Sequence, residues 1–227
     1  RNITNRIYAQ DSIPNFMIFN EYYFSIVLLS LSVSLGAVII ATFMSLIIAC
    51  SVVLTNFKGK GFLILSINTL MSLPPVVVGL ILYVMFSQSG VFGIFNLLYT
   101  STIMIIAQII IVTPIIISLS IKALDNSFKR YHQYLASLYA TKYKISITLL
   151  YEQRFEIILI LLTALGRALS EVGAIIIVGG NIANMTRVMT SGIVLETSRG
   201  NLSLAMSLGG TLIFIALVLN LITYFIK

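Results

Sequence analysis

Charge is what this sequence has least of. Only 9% of its 227 residues are Asp, Glu, Lys or Arg, against about a quarter in a soluble domain. So few charges cannot coat a water-facing surface, and a soluble globular fold is excluded. The single cysteine, Cys50, rules out an intrachain disulfide, and its place in an apolar run reads as a small core residue. The single histidine, His132, excludes a multi-histidine metal site and reads as a surface residue. One Cys and one His in different segments leave no convergent nucleophile or metal set for an intramembrane enzyme. No G-x-x-x-x-G-K-[ST] phosphate loop occurs, so the chain cannot itself hydrolyse ATP. Low-complexity segments, a soluble second domain and a convincing internal repeat are absent too.

Apolar residues fill the space that charge leaves. They make up 59% of the chain, and the mean hydropathy is +1.05. They come as long unbroken runs rather than as alternation, which implies membrane-spanning helices and not a barrel. A span needs roughly 20 apolar residues. Five runs qualify: 24–54, 62–86, 100–121, 155–180 and 205–226. The expected fold is therefore an all-α integral membrane protein with five core transmembrane helices. Residues 1–23 form a polar segment ahead of a 24–226 membrane domain. They are too polar for the apolar heart of a signal peptide, so the first span is expected to serve as the uncleaved targeting signal.

A net charge of +7 raises the question of nucleic acid, but the basic residues form no patch. Nine of the 14 Lys and Arg lie on one side of the spans, in 55–61, in 122–154 and at Lys227. Arg1, Arg6, Arg187 and Arg199 lie on the other. The positive-inside rule then predicts an outer amino end and a cytoplasmic carboxyl end. Nucleic acid is not an expected partner; membrane lipid is.

The one sizeable cytoplasmic segment, 122–154, carries Phe128, Tyr131, Leu135 and Leu138 at helical spacing. Asp125 or Asn126 is a candidate cap for the start of that amphipathic helix. A second half, with Ile145 and Leu149, leads through Glu152 into the next span. Two readings of the stripe stay open: a helix lying on the inner surface, or one that docks a partner.

Three features inside the spans carry more information. Pro74 and Pro75 break the helix ladder, either as a packing kink or as a bend in a pore-lining helix. In GRALSEVG, residues 166–173, Arg167 and Glu171 stand four residues apart deep in the fourth run, near Ala164, Ala168 and Gly173. A central Arg is costly in lipid by about 2.5–3.5 kcal/mol on insertion scales, so pairing with Glu171 on one helix face is expected. That face either only packs or also borders a water-filled path or a subunit interface. Gly179, Gly180 and Asn181 end the span, with glycines that permit a sharp bend and an asparagine able to cap the next helix.

Taken in order, the segments 68–80, 87–90, 100–108, 167–174, 178–181, 186–190 and 195–200 resemble the permease subunits of bacterial ABC importers. They are similar above all to the branch that handles molybdate, sulfate and tungstate, and Gly179-Gly180-Asn181 and Ile193-Val194-Leu195-Glu196-Thr197 look most like its tungstate members. The resemblance implies the type I importer fold, with 122–154 as a coupling helix-turn-helix that docks an ATPase. The family's Glu-Ala-Ala-x-x-x-Gly motif falls on Tyr134, Leu135, Ala136, Ser137, Leu138, Tyr139 and Ala140, of which only Ala136 matches. It further implies a homodimer in the bacterial inner membrane, two ATPase subunits carrying ATP and magnesium, and an extracytoplasmic anion-binding protein. Neither cofactor nor metal is expected in this chain. Pro74, Pro75, Arg167, Glu171, Gly173, Gly179, Gly180 and Asn181 are the implied pore and gate residues. The 181–204 segment is the implied outer gate and loop, with Thr186, Arg187 and Thr190 toward the binding protein. The competing reading is an ion-coupled transporter or channel that uses Arg167 and Glu171 and needs no ATPase.

Overall fold

The computed structural model describes residues 4–137 and 141–226. Among them the chain is helical and has no strand. In order the helices are α1 (Thr4–Leu54), α2 (Lys60–Met71), α3 (Pro75–Phe86), α4 (Ser101–Ser137), α5 (Lys142–Glu152), α6 (Arg154–Leu169), α7 (Gly173–Gly179), α8 (Met189–Ser198) and α9 (Leu202–Ile226), with a short 3-10 turn at Gly93–Phe95. Three helices are long and apolar enough to cross a membrane alone, over Glu21–Leu54, Ser101–Tyr131 and Leu202–Ile226. Two bent pairs, α2 with α3 and α6 with α7, bring the number to five if each pair is one span. This is an all-α membrane protein, as its apolar runs require.

The first helix has 51 residues, or ~77 Å at 1.5 Å each, more than twice a ~30 Å hydrocarbon core. Its backbone passes residue 23 without a break, so the polar start of the chain continues the first span's helix. A correction concerns the 122–154 segment. No helix begins at Asp125 or Asn126, because α4 runs through both as one rod of 37 residues. Asp125 spends its carboxylate instead on Lys129, at 2.6 Å and one turn further on.

Helices α1 and α4 form the spine. They meet through small residues, Ala37, Ala41 and Ala49 on α1 and Ala107 on α4, all fully buried. Lipid tails are as apolar as leucine, so close van der Waals approach of this kind holds such helices together. Above the spine α3 and α7 pack with Val33, Met104 and Val188. Below it α2 and α5 pack against Val53, Ile121 and Leu124. Helix α9 closes one side through Leu204 and Leu208 on Ile26 and Met189. Its outer face, with Ile213, Phe214, Leu217 and Phe225, is exposed in the single chain. Hydroxyls along the spans donate to carbonyl groups one turn back, as Ser30 to Ile26, Thr42 to Val38 and Thr163 to Leu159 do. Their polar groups are thereby satisfied within the helix.

The tightest approach lies between α3 and α7. A Cβ added at Gly79 would stand 2.7 Å from the Ala174 Cα, and one at Gly173 would stand 2.4 Å from a Val76 methyl. Backbone cannot yield as a side chain can. Gly79→Val is therefore expected to destabilise the fold by ~2 kcal/mol or more, read as a drop of several degrees in the melting temperature of detergent-purified protein. Gly61→Ala, where a Cβ meets only open space, is expected to leave it within a degree. Equal melting temperatures for the two variants would contradict the packing described here.

Candidate functional site

Two spans are broken, and the breaks differ in origin. Between α2 and α3 the axis turns by 93°. Pro74 and Pro75 lack backbone N–H groups, and Pro75 takes the first position of α3, where that loss is harmless. The turn ties itself off locally, with Ser72 N–H donating to the Thr69 carbonyl and Leu73 N–H to that of Leu70. The pair of prolines thus makes a right-angle corner rather than a kink in one helix.

The fourth span breaks between Leu169 and Gly173, with a 58° change of direction and no proline. Here bonds from neighbouring helices join the local ones, in which Ser170 N–H donates to the Gly166 carbonyl and Glu171 N–H to that of Ala168. Gln108 on α4 donates its side-chain amide to the Ala168 carbonyl at 3.0 Å. Thr190 on α8 donates its hydroxyl to the Glu171 carbonyl at 2.9 Å. Gln108 is buried, and its Oε1 has no hydrogen-bond partner among the described residues.

This break corrects the expected geometry of the charges. Arg167 lies in the last turn of α6, whereas Glu171 lies in the break beyond it. They do not share a helix face. Their closest atoms are 3.9 Å apart, an ion pair but too long for a hydrogen bond. The Glu171 side chain is buried, while that of Arg167 is 47% exposed within the chain. Arg167 borders a cavity of about 90 Å³ whose other walls include Leu73 and Val78 beside the first break and Ile111 and Pro114 on α4. Because α3 and α7 touch at Val76 and Gly173, the structure brings Pro74, Pro75, Arg167, Glu171 and Gly173 to one junction.

At the far end of α7 the sequence-predicted residues form a second, separate cluster. Gly179 presses against the Met104 sulfur, where a Cβ would stand 3.0 Å away. Gly180 turns the chain at φ +69°, with the Tyr99 ring filling the space that its missing Cβ leaves. Asn181 follows, also left-handed at φ 52°. It does not cap α8, which begins eight residues later. Its Oδ1 accepts from Arg187 Nε at 3.2 Å and from the Ser191 hydroxyl at 3.0 Å, and its carbonyl accepts from Arg187 Nη2 at 3.0 Å. Arg187 Nη1 donates to the Tyr22 hydroxyl of α1. The Thr186 hydroxyl donates to the Gly179 carbonyl at 2.5 Å. Thr186, Arg187 and Thr190 are all buried, engaged by their own chain. The neighbouring Ile182 and Met185 are the exposed side chains of this turn.

The elbow between α4 and α5, expected on the cytoplasmic side, is the third feature. Tyr134 is exposed near the end of α4, and Leu135, Ala136 and Ser137 complete that helix. Leu138, Tyr139 and Ala140 lie outside the described residues. Thr141 caps α5 by accepting from the Lys144 N–H, and Tyr131 donates to Glu152 at 3.1 Å. A cavity of about 160 Å³ lies between the two helices, lined by Tyr131, Tyr134, Thr148, Leu149 and Glu152. Among the described residues no group of Asp, Glu, His and Cys could hold a metal ion.

Sequence reasoning gave no role to Gln108, Tyr22, Thr190's bond to the break, or Ser191. A lone amide in an apolar run was a usable signal for Gln108, since lipid tolerates one only with a partner.

No protein-family model matches the chain. Curated relatives do. The chain is 40% identical over 172 residues to the tungstate uptake system permease protein TupB of Campylobacter jejuni, covering 76% of this chain and 72% of that one. It is 35% identical to the TupB of Peptoclostridium acidaminophilum, over 91% of this chain and 90% of that one. A probable anion ABC transporter permease protein of Haloferax volcanii is 36% identical over 88% of both chains.

The outer cluster makes a specific demand on Asn181. An Asn181→Ala variant would remove two hydrogen bonds to Oδ1, leave the buried Arg187 short of an acceptor and place alanine in a left-handed conformation. We expect a loss of about 2–3 kcal/mol, seen as a melting temperature lowered by several degrees. Met185→Ala, on the exposed face of the same turn, is expected to change it by less than one degree.

Proposed function

The chain belongs to the permease subunits of ABC-type importers for tungstate and related anions, and from that premise we propose how this one carries its cargo. It is the membrane-spanning subunit of an ATP-driven oxyanion importer. Tungstate is the proposed anion, supported by the names of two relatives that align over most of their length. Two copies of the chain would enclose the path, and a bound extracytoplasmic protein would deliver the anion to it. Two ATPase subunits would work from the cytoplasmic side of the bacterial inner membrane, on which the chain's basic loops and carboxyl end lie. ATP and magnesium would be held by those subunits.

One observation carries the coupling mechanism: α4 is a single helix that touches every moving part. Its cytoplasmic end bears Tyr134, Leu135, Ala136 and Ser137, the start of the proposed ATPase-docking elbow that runs to Ala140. Twenty-six residues toward the other end, ~39 Å along the axis, Gln108 holds the Ala168 carbonyl at the break in the fourth span. A displacement of the elbow by ATPase closure would travel along this rod and act on the break directly. Packed helices of this kind switch between discrete arrangements, which is what alternating access needs. Pro74, Pro75 and Gly173 would let the two bent spans pivot, while Arg167 and Glu171 guard their junction. Gly179, Gly180 and Asn181 would form the outer gate, with Thr186, Arg187 and Thr190 as its internal brace. The exposed Ile182 and Met185 are then the surface offered to the binding protein.

Reconstitution tests the assignment. In liposomes, the chain with its ATPase and binding protein is expected to accumulate tungstate only when ATP is supplied, and the chain alone is expected to accumulate none. Ion-driven tungstate flux by the chain alone would overturn the reading in favour of a secondary transporter.

A further inference from the structure

Arg167 is short of partners. A guanidinium has five N–H donors and forms its strongest bonds to paired oxygens at 2.7–2.9 Å. Among the described residues, the Arg167 side chain makes no hydrogen bond, and its one acidic neighbour, Glu171, is 3.9 Å away. Nearly half of the side chain is exposed within the chain. That exposed part cannot face lipid at little cost, because Arg167 lies thirteen residues beyond Arg154, ~20 Å along α6. It therefore faces water or a second copy.

The surroundings suit an anion in transit. The cavity of about 90 Å³ beside Arg167 has apolar walls from Leu70 and Leu73 before the first break and from Ile111 and Pro114 on α4. Several waters fit in such a volume, and so does a tetrahedral oxyanion. Arg167 is the only charged residue that lines it. Glu171 does not line that cavity, and its backbone is held by Thr190. A carboxylate at that distance neutralises Arg167 without consuming its donors.

We propose that the junction of the two broken spans is a low-affinity transit site for a divalent oxyanion, in which Arg167 contacts the anion and Glu171 is the resident counter-ion against which the anion competes. The inference rests on the reading of the chain as an importer's membrane path and assigns a substrate contact within it. A permanent counter-ion also accounts for release. The anion gains Arg167 only against the competition and repulsion of Glu171, so it is held briefly and leaves. A bare arginine would trap it.

The assembled permease–ATPase complex, without the binding protein, provides the direct test, with tungstate as the probe in equilibrium dialysis. Glu171→Gln is expected to bind tungstate at least tenfold more tightly than the unsubstituted complex, and Arg167→Gln/Glu171→Gln is expected to lose that gain. Excess sulfate is expected to displace the bound tungstate, because the site reads divalent charge. In proteoliposomes with binding protein, Arg167→Gln is expected to move at least tenfold less tungstate per ATP hydrolysed, and Arg167→Lys is expected to recover part of it. A misfolded variant cannot gain affinity, so the Glu171→Gln result decides even if Arg167→Gln fails to assemble. Unchanged affinity in Glu171→Gln, or unchanged tungstate per ATP in Arg167→Gln, overturns the transit site. Failure of the unsubstituted complex to transport any oxyanion would instead overturn the importer reading.

Discussion

A backbone buried in lipid must satisfy its own hydrogen bonds, and the rest of this structure answers to that requirement. An unbroken helix meets it automatically. A bent span does not, and two of the spans here are bent. The first closes its corner with turn bonds among Thr69, Leu70, Ser72 and Leu73, and proline removes donors that would otherwise be stranded. The second has turn bonds of its own, Ser170 N–H to the Gly166 carbonyl and Glu171 N–H to that of Ala168, and is further tied by Gln108 and Thr190 reaching in from α4 and α8. Any change in the bend of the fourth span is thereby tied to α4 and α8.

Close approach supplies the second half of the argument. Water does not drive helices together inside a bilayer, so packing has to come from shape. The alanines between α1 and α4 make that contact rigid. Gly79 and Gly173 do the same between α3 and α7, close to the breaks, so the second halves of the two bent spans are pressed into one unit. Tyr99, in a left-handed conformation and seated on Gly180, locks the loop before α4 to the outer end of that unit. Its N–H also donates to the Val178 carbonyl. Helices α3 and α7 are thus a pair of half-helices with its own clamp.

Much of this was legible in the sequence because it depends on local chemistry. Apolar runs gave the spans, and Pro74-Pro75 marked the first break. The second break was not legible. Nothing between Leu169 and Gly173 forbids a helix, and the side chains that bond its Ala168 and Glu171 carbonyls lie sixty positions earlier and nineteen later. The expected cap at Asp125 failed for the opposite reason: a good capping residue sits inside a rod that neighbouring helices and a pair with Lys129 hold straight. Arg187 was legible as an important charge but not as a buried one. Its partners, Asn181 and Tyr22, are six and 165 residues away. Only the nearer of those distances can be read from a motif.

The two span-associated arginines show how one residue type serves opposite ends. Arg187 is buried and bonded to three neutral oxygens, two on Asn181 and one on Tyr22. Those bonds compete for the donors that an anion would need. Its charge is spread over dipoles that cannot leave, and it braces the outer turn. Arg167 has a counter-charge nearby, no hydrogen bond and open volume in front of it. Its donors are unspent, which is unfavourable for stability alone and useful only if something arrives to take them. Burial would have ranked Arg187 as the functional cation and Arg167 as a stray. Counting free donors reverses that order, because binding a passing anion requires hydrogen bonds that the resting fold has not already used.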